Sequence, residues 1–339
     1  MEGITGQIMK SEILRTLRNA GDSFVSGQTL CEKAGVTRQA VWKNIAQLKT
    51  NGFIIESVPN KGYKLISSPD VLYPDDIKSR LTDGSICKKI ESLEVTDSTN
   101  IRAKQLAEFG EEEGTLIIAE RQTAGKGRRG RQWESEPGTG IYMSLVLRPV
   151  INPVHVPGIT LVTALAVVKA IKETCGANAL IKWPNDIVLG GKKICGILAE
   201  MSSEMNFVNY VVTGIGINAN NSQFPKEIEE TATSLYLQTG KKTDRAQLAA
   251  CIINYFGRYY SKFKESKDLM PFIDEYTSLL ANKDREVKIF YGMEEDSEKT
   301  ETGMARGINK DGALIVDTKN GTEYIMSGEV SVRGLYGYV

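Results

Sequence analysis

The apolar pattern of this 339-residue chain changes period twice, and each change demands its own packing solution. Short helical stretches and a hairpin fill the first 67 residues, strands alternate with long helices from Pro74 to 282, and only short strands follow Asp284. A helix buries one stripe of its surface and a strand buries alternate residues, so no single core serves all three patterns. The expected fold is an α+β multidomain chain divided at 1–67, 74–282 and 283–339, with Ser67-Ser68-Pro69-Asp70 as a polar linker. That count suits a length of about 100 to 200 residues per domain.

Residues 7 to 18 place Ile8, Ile13, Leu14 and Leu17 on one helical face. Ser26 can cap a second helix that runs through Ala34, Gly35-Val36 turns the chain, and Thr37 can cap a third helix with Ala40, Val41, Ile45 and Leu48 inward. Helix, glycine-containing turn and helix is the helix-turn-helix pattern. The strands 53–58 and 63–66, around the turn Pro59-Asn60-Lys61-Gly62, form a wing, so an N-terminal winged helix-turn-helix is expected. Residues 1–67 hold nine Lys or Arg against five Asp or Glu, which points to DNA as partner. The N-terminal part of the third helix would enter the major groove, making Thr37, Arg38, Gln39, Trp42 and Lys43 the base or phosphate candidates, with Lys61 and Lys64 adding phosphate contacts from the wing. A winged helix also serves as a protein-interaction module, since fold alone does not set function.

In the middle segment the spacing predicts helices over 98–109, 157–175, 245–265 and 271–281, the last with Pro271 near its first position. Strands are predicted over 114–121, 140–148, 179–183, 194–201 and 207–217, which gives a central α/β domain around a mixed sheet. The apolar run from Val156 to Ile171, interrupted by Lys169, reads as a buried helix ending at Gly176 and is too short to span a bilayer. After Asp284, strands at 286–291, 302–308, 313–317, 322–326 and 329–333, with turns at Asn309-Lys310-Asp311-Gly312 and Asn320-Gly321, predict a small SH3-like β barrel.

The 42 basic and 42 acidic residues cancel, so nucleic-acid contact must come from a local patch. Met1-Glu2-Gly3 opens no signal peptide, and the five cysteines are scattered with no C-x-x-C, so a reduced cytoplasm is expected, with no zinc site and no tightly bound metal. His155 is the only histidine, which removes schemes that need a histidine pair for a metal or a Ser-His triad.

Against that neutral background, Gly125-Lys126-Gly127-Arg128-Arg129-Gly130-Arg131 packs four cations and three glycines into seven residues, a composition suited to wrapping an anion. Its spacing fits G-x-G-x-x-G, and a strand precedes it. No helix follows, because Gln132 to Gly138 carry no helical apolar period, so the dinucleotide-binding reading fails. A solvated basic loop would have the same composition. Asp97-Ser98-Thr99-Asn100 opens a helix, where free N–H groups and short polar side chains can hold a ligand's acceptor or act as ordinary caps. Gln122 offers an amide directly before the loop. Lys182-Trp183-Pro184-Asn185-Asp186 presents an ammonium at a strand end beside a polar turn. Two apolar strands carry glycines, at Gly196 and at Gly214 and Gly216, and suggest a flat slot for a planar or bicyclic group, with Asn218 available to a base edge.

Many cations without a nucleophilic triad suit activation of a carboxylate by ATP, where two anions must meet and charge grows on phosphorus. Positioning and neutralisation carry such a step. Lys182 and Arg128 would bridge carboxylate and phosphate, with Mg2+ on the triphosphate, and a loop that orders over the ligand would keep water from the reactive mixed anhydride.

These motifs, in this order and spanning nearly the whole chain, resemble those of the biotin-protein ligases, and with the two flanking domains they resemble the bifunctional bacterial form that also represses transcription. The resemblance implies that biotin and ATP form biotinyl-5'-AMP and that biotin passes to a lysine of a carrier protein domain of the acetyl-CoA carboxylase type. It implies a biotin site from Ser98, Thr99, Asn100, Gln122, Gly125, Lys126, Gly127, Arg128, Lys182 and Gly196. It implies a nucleotide site from Arg128, Arg131, Trp133, Asn185 and Asn218, with Lys182 and Arg128 catalytic. It further implies that the adenylate-loaded protein forms a homodimer on operator DNA. One position departs from the pattern, since Lys126 stands where many members carry arginine, and a compact ammonium cannot make the fork contacts of a guanidinium. Two other readings use parts of the same pattern: a lipoate-type ligase with the same chemistry, and a non-catalytic sensor that binds biotin and DNA.

Overall fold

Two short polar side chains set the helix-turn-helix. Ser26 accepts a hydrogen bond from the Thr29 amide, which starts α2 (Gly27–Ala34) behind α1 (Glu2–Asn19), and Gly35 ends α2 in the left-handed region with φ 66°. Thr37 accepts from the Ala40 amide and starts α3 (Arg38–Thr50). Ile13, Leu14, Leu17, Leu30, Val41, Ile45 and Leu48 form the core, while Ala40, expected inward, is only half-buried. The wing is β1 (Ile54–Val58) paired antiparallel with β2 (Gly62–Ser67), as expected.

The computed structural model describes residues 2–291, 300–327 and 330–334, and the side chain of Ile8 and residue Glu329 lie outside them. The chain divides into two units, Met1–Asp83 with Asp244–Ala250, and Gly84–Thr243 with Cys251–Val339. The first unit contains a further helix, α4 (Pro74–Ser79). There Asp76 is fully buried and takes hydrogen bonds from the guanidinium groups of Arg18 and Arg80, the latter at 3.0 Å.

The second unit is built on a seven-stranded mixed sheet. Its strands are β3 (Lys89–Thr96), β4 (Thr115–Gln122), β5 (Gly140–Leu147), β6 (Leu180–Lys182), β7 (Asp186–Leu189), β8 (Lys192–Glu204) and β9 (Phe207–Asn218). They lie in the order β3-β4-β5-β9-β8-β7-β6, with only β3 and β4 parallel. Helix α5 (Thr99–Glu108) connects β3 to β4, and α6 (Pro157–Cys175) ends as predicted at Gly176 with φ 68°. By length and composition α6 could cross a membrane, but Leu161, Val162, Leu165 and Ile171 are fully packed inside the unit. After α7 (Leu235–Thr239) and α8 (Arg245–Ser266), Pro271 falls in a single 3-10 turn rather than at the head of a helix, and α9 is confined to Ile273–Ser278.

The last strands, β10 (Glu286–Tyr291), β11 (Thr300–Ile308), β12 (Leu314–Thr318), β13 (Gly321–Ile325) and β14 (Val330–Gly334), form an antiparallel sheet in the order β13-β12-β11-β10-β14. Among the described residues β13 and β14 are not paired with each other. The domain predicted as a small barrel is therefore present as a five-stranded antiparallel sheet.

Candidate active site

The floor of the site is a register effect. On β9, Gly214, Gly216 and Asn218 are two residues apart and share a face. Gly216 pairs with Gly196 on β8, Gly196 with Asp186 on β7, and Asp186 with Lys182 on β6. Side chains directly opposite share a face, so the Lys182 side chain belongs to the face that the glycines open, two strand spacings or about 10 Å from Gly196.

Two groups lie directly on that floor. A Cβ at Gly214 would fall 2.0 Å from Asn100 Oδ1, and one at Gly216 would fall 2.7 Å from Trp133 Cε2, so both positions require glycine. The flat slot expected from the two glycine-bearing strands therefore exists, and the planar group lying in it is the protein's own Trp133 indole. Lys193 Nζ stands 5.5 Å from the centre of that ring and pairs with Asp186 at 2.6 Å.

The N-terminus of α5 forms one wall. Ser98, Thr99 and Asn100 are all buried, and Ser98, although at the N-cap position, makes no capping bond with its hydroxyl. Gln122, at the end of β4, turns Oε1 toward the Thr99 amide (2.8 Å) and the Thr99 hydroxyl (3.1 Å), and its Nε2 donates to Ser135 Oγ at 3.1 Å. Gln122 thus keeps one amide proton, because two of its three partners use the oxygen.

The cationic loop forms the opposite wall, and its own backbone closes it. Gly127 N donates to Arg131 O at 2.7 Å, Trp133 N donates to Gly125 O at 2.9 Å, and Arg128–Gly130 make one 3-10 turn with Arg129 at φ 57°. No α-helix opens from the loop, which agrees with rejecting the dinucleotide reading. Arg128 reaches inward, donating through Nη1 to Asn185 Oδ1 at 3.0 Å and through Nη2 to the Ser327 carbonyl between β13 and β14. Burial lowers its pKa, Arg129 adds to the effect and Asp186 opposes it. Asn185 is aimed by two bonds to Ile197, from its Nδ2 to Ile197 O (3.1 Å) and from Ile197 N to its carbonyl (2.9 Å). The neighbouring Trp183 donates to Gly312 O at 3.0 Å, and the Trp183–Pro184 peptide is cis.

Ser98, Thr99, Asn100, Gln122, Lys126, Gly127, Arg128, Trp133, Asn185 and Gly196 line one cleft. Four expected residues do not line it. Gly125 is packed behind it, where a Cβ would meet Trp133 O at 2.6 Å; Arg131 is exposed; and Lys182 is buried at the end of the edge strand β6. Asn218 donates to Thr233 O at 3.1 Å and lines a second cleft, with Arg121, Glu134, Glu136, Asn221 and Lys226. Lys193, Ile197, Leu198 and Ile215 also line the cleft and Ser135 is the partner of Gln122, roles that the sequence pattern does not assign. Lys193 carried a signal, being a cation three residues before Gly196, whereas Ser135 carried none. In the first unit Thr37, Arg38, Gln39, Trp42, Lys43 and Lys61 are exposed, Trp42 at 66%. The Thr37 hydroxyl is engaged as a cap, Arg38 donates to Gln28 at 3.2 Å, and Lys64 pairs with Asp22 at 2.8 Å.

This arrangement has relatives. Residues 92–218 match the Biotin/lipoate A/B protein ligase family, residues 10–64 an HTH domain and residues 285–333 the Biotin protein ligase C terminal domain. The bifunctional ligase/repressor BirA of Bacillus subtilis is 36% identical over 96% of this chain and 98% of its own length, and that of Escherichia coli is 32% identical over 93% and 94%. The structure of biotin protein ligase from Aquifex aeolicus in complex with biotin and ATP superposes with a TM-score of 0.63 at 34% identity, over 73% of this chain and 99% of that one. With the helix-turn-helix, the ligase core and the C-terminal domain all matched in order, the chain belongs to the family of bifunctional biotin ligase/repressors.

Proposed function

We infer that this chain is an ATP-dependent, AMP-forming biotin ligase acting on a biotin carrier protein domain, and that it is also a DNA-binding repressor. The observation that carries the catalytic reading is the convergence of four segments on one cleft: the head of α5, Gln122, the cationic loop, and the β8–β9 glycine floor. A ureido group offers two N–H donors and one carbonyl acceptor. The Asn100 oxygen, the remaining Gln122 proton and the unengaged Ser98 hydroxyl are complementary to it. A lipoyl ring presents no such groups.

In this reading the bicycle lies against Asn100 and the head of α5 and the nucleotide reaches past Trp133 toward the cleft that Asn218 lines, with the indole as the wall between them. The biotin carboxylate oxygen attacks the α-phosphorus, an O–P bond forms, and pyrophosphate leaves. Arg128 and Lys182 neutralise the two anions that must meet. In the second step the carrier lysine, as free amine, attacks the acyl carbon, AMP leaves, and the amine proton is lost to solvent. Mg2+ would arrive on the triphosphate. Among the described residues no three acidic, histidine or cysteine side chains gather to hold a cation.

The same reading gives the first unit to an operator, with α3 in the major groove, and makes the adenylate-loaded form a homodimer whose two-fold symmetry doubles a modest set of contacts. It places the protein in the cytoplasm with its carrier and DNA. The test is incubation with biotin, Mg-ATP and a carrier domain. The carrier should gain one biotinyl group by mass, lipoate should not compete, and no mass gain would refute the reading.

A further inference from the structure

An asparagine at a ligand cleft can present its carbonyl oxygen or its NH2 group, and the two choices read opposite ligand groups. Neighbours make that choice at Asn100. Its Nδ2 donates to Leu198 O at 3.2 Å and to Glu200 Oε2 at 2.8 Å, while its Oδ1 accepts from the buried Ser144 hydroxyl at 2.6 Å. Both amide protons are engaged, and Oδ1 keeps one lone pair. Turning the amide over would press Oδ1 against a carboxylate and a carbonyl, both acceptors, and leave buried polar atoms unmatched.

Glu200 is itself fixed. Lys104, one helical turn beyond Asn100 on α5, donates to its Oε1 at 2.7 Å, so each carboxylate oxygen has its own donor. Burial raises the Glu200 pKa, but the bonds from Lys104 and Asn100 and the charges of Lys104 and Lys126 outweigh it, and the net shift is downward. Ser144 extends the arrangement sideways. Its hydroxyl also lies 2.8 Å from Thr99 Oγ1, which joins Asn100 to the Thr99–Gln122 pair across the cleft floor.

We propose that Glu200, backed by Lys104, is a positioning residue for biotin, locking Asn100 so that its free Oδ1 lone pair faces the cleft and accepts a ureido N–H. The proposal rests on the ligase reading and assigns a role to two residues outside the cleft lining. Neither touches the ligand. Their effect passes through Asn100, and it separates ureido recognition from the phosphate chemistry at Arg128 and Lys182.

The test uses the full chain in a pyrophosphate-release assay with varied biotin. Glu200→Gln keeps the volume but offers Asn100 an amide that can present either end. The biotin KM should rise about tenfold or more, the scale of one lost charge-assisted bond. The kcat and the KM for ATP should stay within about twofold, because a group that binds ground state and transition state alike moves KM alone. In an Asn100→Ala background the same substitution should change the biotin KM no further, since the two residues act as one unit. Lys104→Met should shift the biotin KM in the same direction, and it carries the test if the Gln variant does not fold. Additive effects in the double variant, a fall in kcat at constant KM, or no change would each overturn the proposal. If the unaltered chain adds no biotinyl group to its carrier, the ligase reading itself fails; if it does while Glu200→Gln is silent, only the positioning role falls.

Discussion

Arg128 gives the strongest quantitative test of how the cleft works. It makes directional bonds to two other segments, to Asn185 Oδ1 at 3.0 Å and to the Ser327 carbonyl, so its charge is held in place before a substrate arrives. A unit charge about 4 Å from the charge growing on phosphorus, at an effective dielectric of about 20, contributes about 4 kcal/mol. At about 1.4 kcal/mol per factor of ten, Arg128→Ala should lower kcat/KM for biotin activation about a thousandfold. Arg128→Lys keeps the charge but cannot reach both partners. It should lose one charge-assisted bond, about 1.5–3 kcal/mol or roughly ten- to a hundredfold, and fall between wild type and alanine. The assay is single-turnover release of pyrophosphate, run beside transfer of biotin from supplied biotinyl-5'-AMP to the carrier, which bypasses the first step and should suffer less. An alanine variant within about tenfold of wild type would refute the electrostatic argument. Equal loss in both steps together with a lowered unfolding temperature would show damage to the fold instead.

Lys43→Ala, on the exposed side of α3, should reduce the slope of log affinity against log salt for operator DNA by about 0.9 while leaving carrier biotinylation unchanged, as measured by anisotropy titrations at several salt concentrations. Asp76→Ala removes the buried carboxylate to which both Arg18 and Arg80 donate, and because Arg80 keeps its pairing with Asp244 the loss in urea unfolding should fall at the low end for a broken buried pair, about 3 kcal/mol. The Cys251 thiol is pushed up to about 12 by burial and by Glu173, so it stays protonated and should resist iodoacetamide in the native protein at neutral pH. Rapid alkylation read by mass spectrometry would contradict that packing.

Much of the fold was legible because its signals are local. A capping hydroxyl at Thr37 and a left-handed glycine at Gly176 state where helices begin and end, and the structure has both. The misses share a cause. Strand β3 reads Lys-Ile-Glu-Ser-Leu-Glu-Val-Thr, and only one edge of it pairs, so its charges hid an alternation that partial burial imposes. Strand β7 is four residues long and begins inside the Pro184-Asn185-Asp186 turn, so the turn signal masked it. At the site, residue types were legible one at a time, but their grouping was not. That Trp133 lies on Gly216, or that Lys182 shares the face of Gly196 from two strands away, depends on how distant segments align, and no single stretch of sequence carries register between β6, β7 and β8. Ser144 and Glu200 were passed over for the same reason, since a lone polar residue in a strand looks like a solvated position until its partner across the sheet is known.

That partnership also explains why lysine suits position 126, where the family resemblance leads one to expect arginine. A guanidinium gains most from a carboxylate that can accept its fork with both oxygens. Glu200 is the carboxylate whose pKa Lys126 helps to lower, and its two oxygens are already engaged, Oε1 by Lys104 and Oε2 by Asn100. A fork at 126 would have to displace one of them, and displacing Asn100 would free the amide whose orientation the cleft depends on. An ammonium acts as a point charge and needs no second oxygen. The exposed Lys126 acts on Glu200 by charge, which falls off gradually with distance, whereas Arg128 at the other side of the loop is held by directional bonds that are either made or broken.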